Sequence, residues 1–298
     1  MKYRPKHIVE YGAVKALALL LNALPYRAAL LVGWCVAWLG FHVVRFRVAM
    51  AESRIRSVFG DRFSARQVRR IAWLSWRNIV FNGVEMIRVA KMTGEWVKRV
   101  TDCGAAMRVL QAHGQTGRGA VIAVPHMGNW DMAAVTCHFH GLSMFSVAAQ
   151  QKNPLTNAYL NRLRGSFGNA ILARGSGVMR EVLRKLRAGQ FLAILPDVRM
   201  TSEGVRVPFL GGEANLGTGM ALFARHAGVP IFPGIVRRES WARQTMRLYP
   251  PIQPDKSLDK DVDVRRMTRC VMQIIEEEIR QDPSQWFWFN KRWILDPL

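Results

Sequence analysis

Apolar residues recur along this chain in two rhythms, and the change between them divides it. Residues 11–24 are almost continuously apolar, with Lys15 the only charge. Pro25-Tyr26-Arg27 interrupts, and residues 28–44 then give seventeen uncharged positions before Arg45. A spanning helix wants about 20 apolar residues, so this pattern predicts an interfacial or shallowly inserted helical hairpin, with a single span or a buried hairpin as the alternatives. Trp34, Trp38 and Phe41 recur at helical spacing and are expected to form one lipid-facing stripe. A basic helix and turn follow from Arg45 to Asp61. Ser64-x-x-Gln67 has the form of a capping box, opening a long amphipathic helix that runs to about Lys91. A further helix is expected over 104–113, ending at Gly114.

From residue 121 onward, short apolar runs alternate with helical patterns. The spacing predicts strands at 121–124, 143–149, 171–172, 191–195, 229–236 and 245–248, and helices from 130 and over 155–166, 175–188, 219–227 and 261–281. Gly189 is read as closing the helix over 175–188, whose outer face carries Arg180, Arg184, Lys185 and Arg187 and suits either water or lipid. Val205 to Gly219 reads as a glycine-rich loop. It is not a P-loop, because no Gly-Lys-Ser/Thr ending is present. This alternation argues for an α/β fold with a mixed, largely parallel sheet flanked by helices, which occupies residues 48–298 behind a membrane-associating segment (1–47).

Charge narrows the partners. The 298 residues carry a formal net charge of +22, and half of them are hydrophobic. Such a balance asks for a polyanionic partner. The Lys and Arg residues are spread along the whole length and no nucleic-acid reader motif is present, so no nucleic acid is expected. Ten tryptophans beside abundant arginine suit an anionic membrane surface instead. Residues 1–10 are basic and lack a signal-cleavage pattern. Four scattered cysteines fit a reducing compartment. Cys137-His138-Phe139-His140 has no matching second half, so no metal site is expected.

The candidate chemistry lies at the first strand's end, in Val121-Ile-Ala-Val-Pro-His126-Met-Gly-Asn-Trp-Asp131. On one regular helix His126 and Asp131 would point about 140° apart. Across a strand–turn–helix corner bent at Gly128, the Asp131 carboxylate can fold back onto the imidazole. That pairing would fix the ring's tautomer and support its protonated form, as a general base requires. A helix-capping histidine with a first-turn aspartate is the plainer reading. The stretch contains no Ser or Cys nucleophile, so His126 is expected to act directly on a substrate hydroxyl.

The H-x4-D spacing resembles the glycerolipid acyltransferase signature, and His126-Met-Gly-Asn-Trp-Asp131 resembles the lipid A late acyltransferases and the related acyltransferases of phosphatidylinositol mannosides. Three more stretches carry the likeness: the N-terminal pattern with Leu24-Pro-Tyr-Arg27, the run from Asp197 to Gly219, and Pro283-Ser-Gln-Trp-Phe-Trp-Phe-Asn-Lys-Arg-Trp293. In the last, Asn290 replaces the family's usual histidine, and the aromatics are read as a core plug. The resemblance implies transfer of a fatty acyl chain from a thioester of acyl carrier protein or coenzyme A to a hydroxyl of a glycolipid, foremost a lipid A precursor, with no cofactor, at the cytoplasmic face of the inner membrane. Phosphatidylinositol mannoside or lysophospholipid acceptors are alternatives, as is a non-catalytic basic protein that binds membrane or nucleic acid. It further implies that His126 takes the hydroxyl proton, Asp131 supports it, and Arg164 or backbone N–H groups near Gly128 meet the oxyanion. Asn129, Arg162, Asp197 (as the partner of an arginine), Arg206, Gly217 and Thr218 are the candidate substrate contacts.

Overall fold

The computed structural model describes residues 4–148, 152–173, 175 and 177–295. The apolar N-terminus forms helices α1 (Pro5–Ala23) and α2 (Tyr26–Trp38), the second widening into a π turn over Leu39–Val43. Helices α3 (Val48–Phe59) and α4 (Ala65–Ile87) follow. The capping box forms: the Gln67 backbone N–H donates to Ser64 Oγ and the Ser64 N–H donates to Gln67 Oε1, at 3.4 and 2.8 Å.

Small residues seat α2 on α4. Ala29, Gly33 and Ala37 stand four apart and are buried, and a Cβ on Gly33 would come within 2.8 Å of Val84 Cγ2. Phe41 continues this spacing, so it turns into the core against Trp73 and Phe289. The expected stripe is therefore corrected. Trp34 packs on Trp73 and Trp241, and of the three only Trp38 is exposed. The outward apolar surface consists instead of Leu31, Val36, Trp38, Leu39, Val43 and Val44, extended by Ile8, Val9, Leu19 and Leu20 of α1. The segment Tyr26–Val43 is long and apolar enough to cross a membrane by length and composition.

The rest alternates as α5 (Gly94–Val100), β1 (Thr101–Asp102), α6 (Gly104–Gly114), β2 (Ala120–Ala123), α7 (Trp130–Phe139), β3 (Met144–Ala148), α8 (Pro154–Gly165), β4 (Ala170–Ala173), α9 (Val178–Arg187), β5 (Phe191–Ile194), β6 (Val205–Phe209), β7 (Gly212–Leu216), α10 (Gly219–Ala227), β8 (Ile231–Ser240), β9 (Arg243–Leu248) and α11 (Lys260–Gln281). Residues 149 and 176, which the expected strand and helix include, lie outside the described residues. Seven of these strands form one sheet in the order β1-β9-β8-β2-β5-β3-β4, with only the β8–β9 pair antiparallel. The fold is the α/β arrangement expected.

Strand β2 sits mid-sheet and buries both faces, which is why it reads as an unbroken apolar run. Its side chains alternate between two cores. Val121 and Ala123 join the cluster with Val182, Leu186, Met220 and Val271 from α9, α10 and α11, while Ile122 and Val124 join Met107, Leu110 and Cys137 from α6 and α7.

The stretch from Val205 to Gly219 differs from the loop expected. It is an antiparallel hairpin, β6 paired with β7, whose alternate side chains Val205, Val207 and Phe209 are buried. A period-two pattern was present there, but the glycines masked it. The C-terminal aromatics do plug the core: Trp286, Trp288 and Phe289 are buried. Their backbone carbonyls are held from the N-terminal half, by Ser75 Oγ on Trp286 at 2.5 Å and by Arg54 on Trp288 at 2.9 Å.

Candidate active site

The site forms where two parallel strands end together. In register, Ala123 of β2 lies level with Ile194 of β5. Each strand then continues through one apolar residue and a proline: Val124-Pro125-His126 and Leu195-Pro196-Asp197. Proline has no N–H to extend the ladder, so both chains leave the sheet at the same level. Three residues beyond the paired positions, His126 and Asp197 face each other at the carboxyl edge of the sheet, where open α/β folds place their ligands.

The contact is bidentate in effect. His126 Nδ1 lies 2.9 Å from Asp197 Oδ1, and the His126 backbone N–H donates to Asp197 Oδ2 at 2.8 Å. Trp286 Nε1 donates to the same Oδ2 at 2.8 Å. The imidazole is 21% exposed and the carboxylate 1%. Nδ1 turned to a carboxylate carries the proton, which leaves Nε2 as the nitrogen able to accept one. Trp130 packs edge-on to the ring.

Burial alone would lower the His126 pKa. The charge of Asp197, its hydrogen bond and the charge of Asp131 outweigh burial and raise it above the usual histidine value. Burial likewise pushes Asp197 up, but the His126 charge and the hydrogen bonds from His126 and Trp286 hold it below the usual carboxylate value. By linkage, His126's contribution to stability is fully present below its unfolded pKa and lost as pH rises through its raised folded value. Asp197's is present above its unfolded pKa and lost as pH falls through its depressed folded value. The pair therefore supports the fold between those two limits.

This geometry revises the expected roles. The carboxylate on the His126 ring is that of Asp197. Asp131, in the first turn of α7, accepts from Arg164 Nε at 3.3 Å and reaches His126 through its charge. Asp197 was expected to partner an arginine; its partners here are His126 and Trp286. Asn129 is 1% exposed and faces inward, where it caps α7 through Met132 N–H and donates to Glu85. The Gly128 N–H, an expected oxyanion donor, already donates to the Gln285 carbonyl at 3.0 Å. Arg162 is exposed, two positions from Arg164 and so about 200° away around α8. Arg206 lies on the outer face of the hairpin, paired with Glu213 at 3.3 Å with both side chains more than half exposed.

His126, Asp131, Arg164, Gly217 and Thr218 all line one cavity of about 670 Å³. Its lining includes the apolar or buried side chains Ile122, Val124, Ala133, Cys137, Met144 and Met246, which belong to or pack in the core between α7 and the sheet. Asn169 also lines it, with its Oδ1 buried and without a protein partner. Burial pushes the Cys137 thiol up to about 12, so it is not a thiolate nucleophile near neutral pH. Among the described residues, no group of three His, Cys, Asp or Glu side chains is arranged to hold a metal ion.

Sequence reasoning missed the groups behind the corner: Glu85 and Asn82 on α4, Arg238 on β8, and Gln285. The signal lay in α4, where Ser75, Asn78, Asn82 and Glu85 recur at three- and four-residue spacing and are all buried. A polar stripe on the inward face of an amphipathic helix needs partners.

The chain resembles proteins of known assignment over most of its length. The family model described as bacterial lipid A biosynthesis acyltransferase matches residues 3–294. A phosphatidylinositol mannoside acyltransferase of Mycolicibacterium smegmatis is 29% identical over 187 residues, which cover 60% of this chain and 58% of the relative. One from Mycobacterium tuberculosis H37Rv is 28% identical over 188 residues, covering 60% and 56%. A lipid A biosynthesis acyltransferase of Haemophilus influenzae is 26% identical over 176 residues, covering 58% and 52%. The chain spans just over half the length of the curated relatives it matches. With a family model covering nearly all of it, the chain belongs to the bacterial lipid A biosynthesis acyltransferase family.

Proposed function

We propose that this protein is a membrane-associated O-acyltransferase that moves a fatty acyl chain from a thioester to a hydroxyl of a glycolipid. The observation that carries this reading is the His126–Asp197 pair, which opens on a cavity with a largely apolar lining. His126 Nε2 takes the proton of the acceptor hydroxyl as its oxygen attacks the thioester carbonyl carbon. The C–O bond forms, and the carbonyl electrons collect on an oxyanion. The oxyanion collapses, the C–S bond breaks, and the proton on His126 passes to the leaving thiolate. Asp197 holds the ring and balances the imidazolium. Asp131 adds negative charge beside it and aims Arg164 into the cavity, where the guanidinium meets the oxyanion. Donor and acceptor supply the chemistry without a cofactor.

The donor is a thioester of acyl carrier protein or coenzyme A. The acceptor is foremost a lipid A precursor. Phosphatidylinositol mannoside is the second reading, favoured by the two mycobacterial likenesses. The exposed apolar surface of α1 and α2, flanked by Arg45 and Arg47, supports seating on anionic lipid; the cytoplasmic face of the inner membrane is the side where an acyl thioester donor would be met. The test is acyl transfer by detergent-solubilised protein, offered both thioesters and a membrane-lipid extract, with mass spectrometry of the product. Label entering a glycolipid supports the reading and identifies the acceptor. Both thioesters remaining intact with no labelled lipid contradicts it.

The apolar side of the cavity, beside α7, is the seat of the acyl chain. Helix α7 starts at the site and runs down beside the sheet, so Cys137, seven residues from Trp130, lies about 10 Å deeper. Cys137→Phe fills that depth. Each methylene no longer accommodated forfeits about 0.8 kcal/mol, or roughly fourfold in kcat/KM. A series of acyl thioesters assayed against the variant is expected to show its preference moved to shorter chains, with the shortest donors turned over as by wild type.

A further inference from the structure

The corner that carries His126 is held by buried groups that belong neither to the ring nor to the cavity. The backbone N–H and carbonyl of both His126 and Gly128 are taken by other segments. The His126 carbonyl accepts from Phe287 N–H at 3.0 Å, and Met127 makes a bridge with Trp286. The Gly128 N–H donates to the Gln285 carbonyl at 3.0 Å, and the Gly128 carbonyl accepts from Asn82 Nδ2 at 2.5 Å. The next residue, Asn129, sends its amide to Glu85 Oε2 at 2.5 Å.

Glu85 is the hub behind these contacts. Its two oxygens also accept from Arg238 Nη1 and Nη2, at 3.0 and 2.5 Å, and Oε1 accepts from Tyr26 Oη at 2.6 Å. Arg238 in turn orients the clamp, donating to Asn82 Oδ1 at 2.9 Å and pairing through its backbone with the Gln285 side chain. Both charged side chains are fully enclosed, at 1% and 0% exposure. A buried ion pair is a poor source of stability when an apolar pair would pack as well. It does impose direction, because both Glu85 oxygens and both terminal nitrogens of Arg238 are held by several partners at fixed angles. Two of these contacts lead to the corner: Glu85 to Asn129 directly, and Arg238 through Asn82 to the Gly128 carbonyl.

We propose that Glu85 is a positioning residue for His126, acting through Asn129 and, by way of Arg238 and Asn82, through the Gly128 carbonyl. The inference rests on the reading of His126 as the base. Glu85 touches no cavity-lining atom of the ring. It fixes the segment from which the ring projects, and so the angle at which Nδ1 meets Asp197. Tyr26 stands at the start of α2, so the seating of the apolar N-terminal helices feeds into the same hub.

The test separates positioning from support of the fold. Asn129→Ser keeps the α7 cap, since serine caps about as well as asparagine, but its side chain is too short to reach Glu85. Glu85→Gln removes the charge at the hub and keeps its shape. Two readouts are taken on each variant in detergent: steady-state kinetics, and the low-field NMR signal of the His126 Nδ1 proton, assigned by its loss in Asp197→Asn. The expected result for Asn129→Ser is a 10- to 100-fold fall in kcat with KM within about twofold, together with broadening or loss of the Nδ1 signal, at a melting temperature close to wild type. An unchanged kcat, or a fall in activity with the Nδ1 signal intact, overturns the proposal. Glu85→Gln is expected to reproduce the pattern more strongly. The NMR readout does not depend on turnover, so wild type that transfers no acyl group would refute the catalytic reading while the positioning of the ring is still decided.

Discussion

Replacing His126 with alanine is expected to lower kcat by about 10²- to 10⁴-fold, the usual contribution of a positioned general base, and to leave the fold and membrane association in place. Among the described residues that line the cavity there is no substitute base. Asp131 is committed to Arg164, and Asp197 loses in the variant the partner that faced substrate. The backbone at 126 keeps its hydrogen bonds, since its N–H still reaches Asp197 Oδ2 and its carbonyl still meets Phe287 N–H. A matched circular dichroism spectrum and vesicle sedimentation check the second half of the expectation. An acid-stable acyl adduct trapped on the variant would point to a covalent route that this account excludes. Cys137, with its thiol pushed to about 12, is not an adequate nucleophile for that route.

Gly128→Ala is expected to harm stability and activity together. The backbone at 128 has a φ of +53°, a left-handed conformation that costs an alanine about 1–2 kcal/mol. Space is the larger obstacle. A Cβ there would lie 2.2 Å from the Val236 carbonyl oxygen and 2.7 Å from its carbon, both backbone atoms of β8, a strand paired on both sides. Neither side can yield by turning a side chain. The corner must lift from the sheet, adding about 1–3 kcal/mol of the kind seen on overpacking a core. The summed cost is about 2–5 kcal/mol, read as a lower denaturation midpoint. The same displacement breaks the contacts at Gly128 N–H and carbonyl that aim His126, so kcat should fall further than the loss of folded protein explains. A variant as stable and active as wild type would mean that the corner is not held as tightly as described.

What the sequence displayed, and what it hid, follows from the range of the interactions involved. Strand β2, the turn at Gly128 and the capping box at Ser64 are local, and their letters are sufficient to read them. The partner of His126 is not local. Asp131 is five residues away and drew attention, whereas Asp197 is seventy-one residues away and reaches the ring only because β5 lies beside β2. A trace of this was present in the chain: two apolar runs end in the same way, Val124-Pro125-His126 and Leu195-Pro196-Asp197. Strands of a parallel pair that stop at the same register deliver their next residues to one point. Reading those endings against each other, rather than the H-x4-D spacing alone, identifies the pair.

Helix α4 carried a similar trace. Its period is legible, but nothing local distinguishes Glu85 and Asn82 from ordinary polar positions, because the groups opposite them, Arg238, Asn129 and Gly128, are distant in sequence. The N-terminal stripe failed for a complementary reason. Aromatic spacing does not mark the lipid side here, because the seam is set by the small residues Ala29, Gly33 and Ala37, which draw Phe41 inward and leave the aliphatic positions outside.

Whether the Asp197–His126 pair is the base for acyl transfer is decided by kcat/KM against pH for wild type and Asp197→Asn. The base must be neutral to accept a proton, so activity rises with pH through the His126 pKa. That value lies above the ordinary histidine value because Asp197, helped by Asp131, outweighs the effect of burial. Wild type should therefore show an acid limb centred above the usual histidine pKa of about 6.5. In Asp197→Asn the main raising influence is gone and burial remains, so the limb moves to lower pH while the plateau falls by orders of magnitude. An acid limb left in place by Asp197→Asn, or a plateau unchanged from wild type, would contradict the assignment and leave Asp131 as the carboxylate on which catalysis depends.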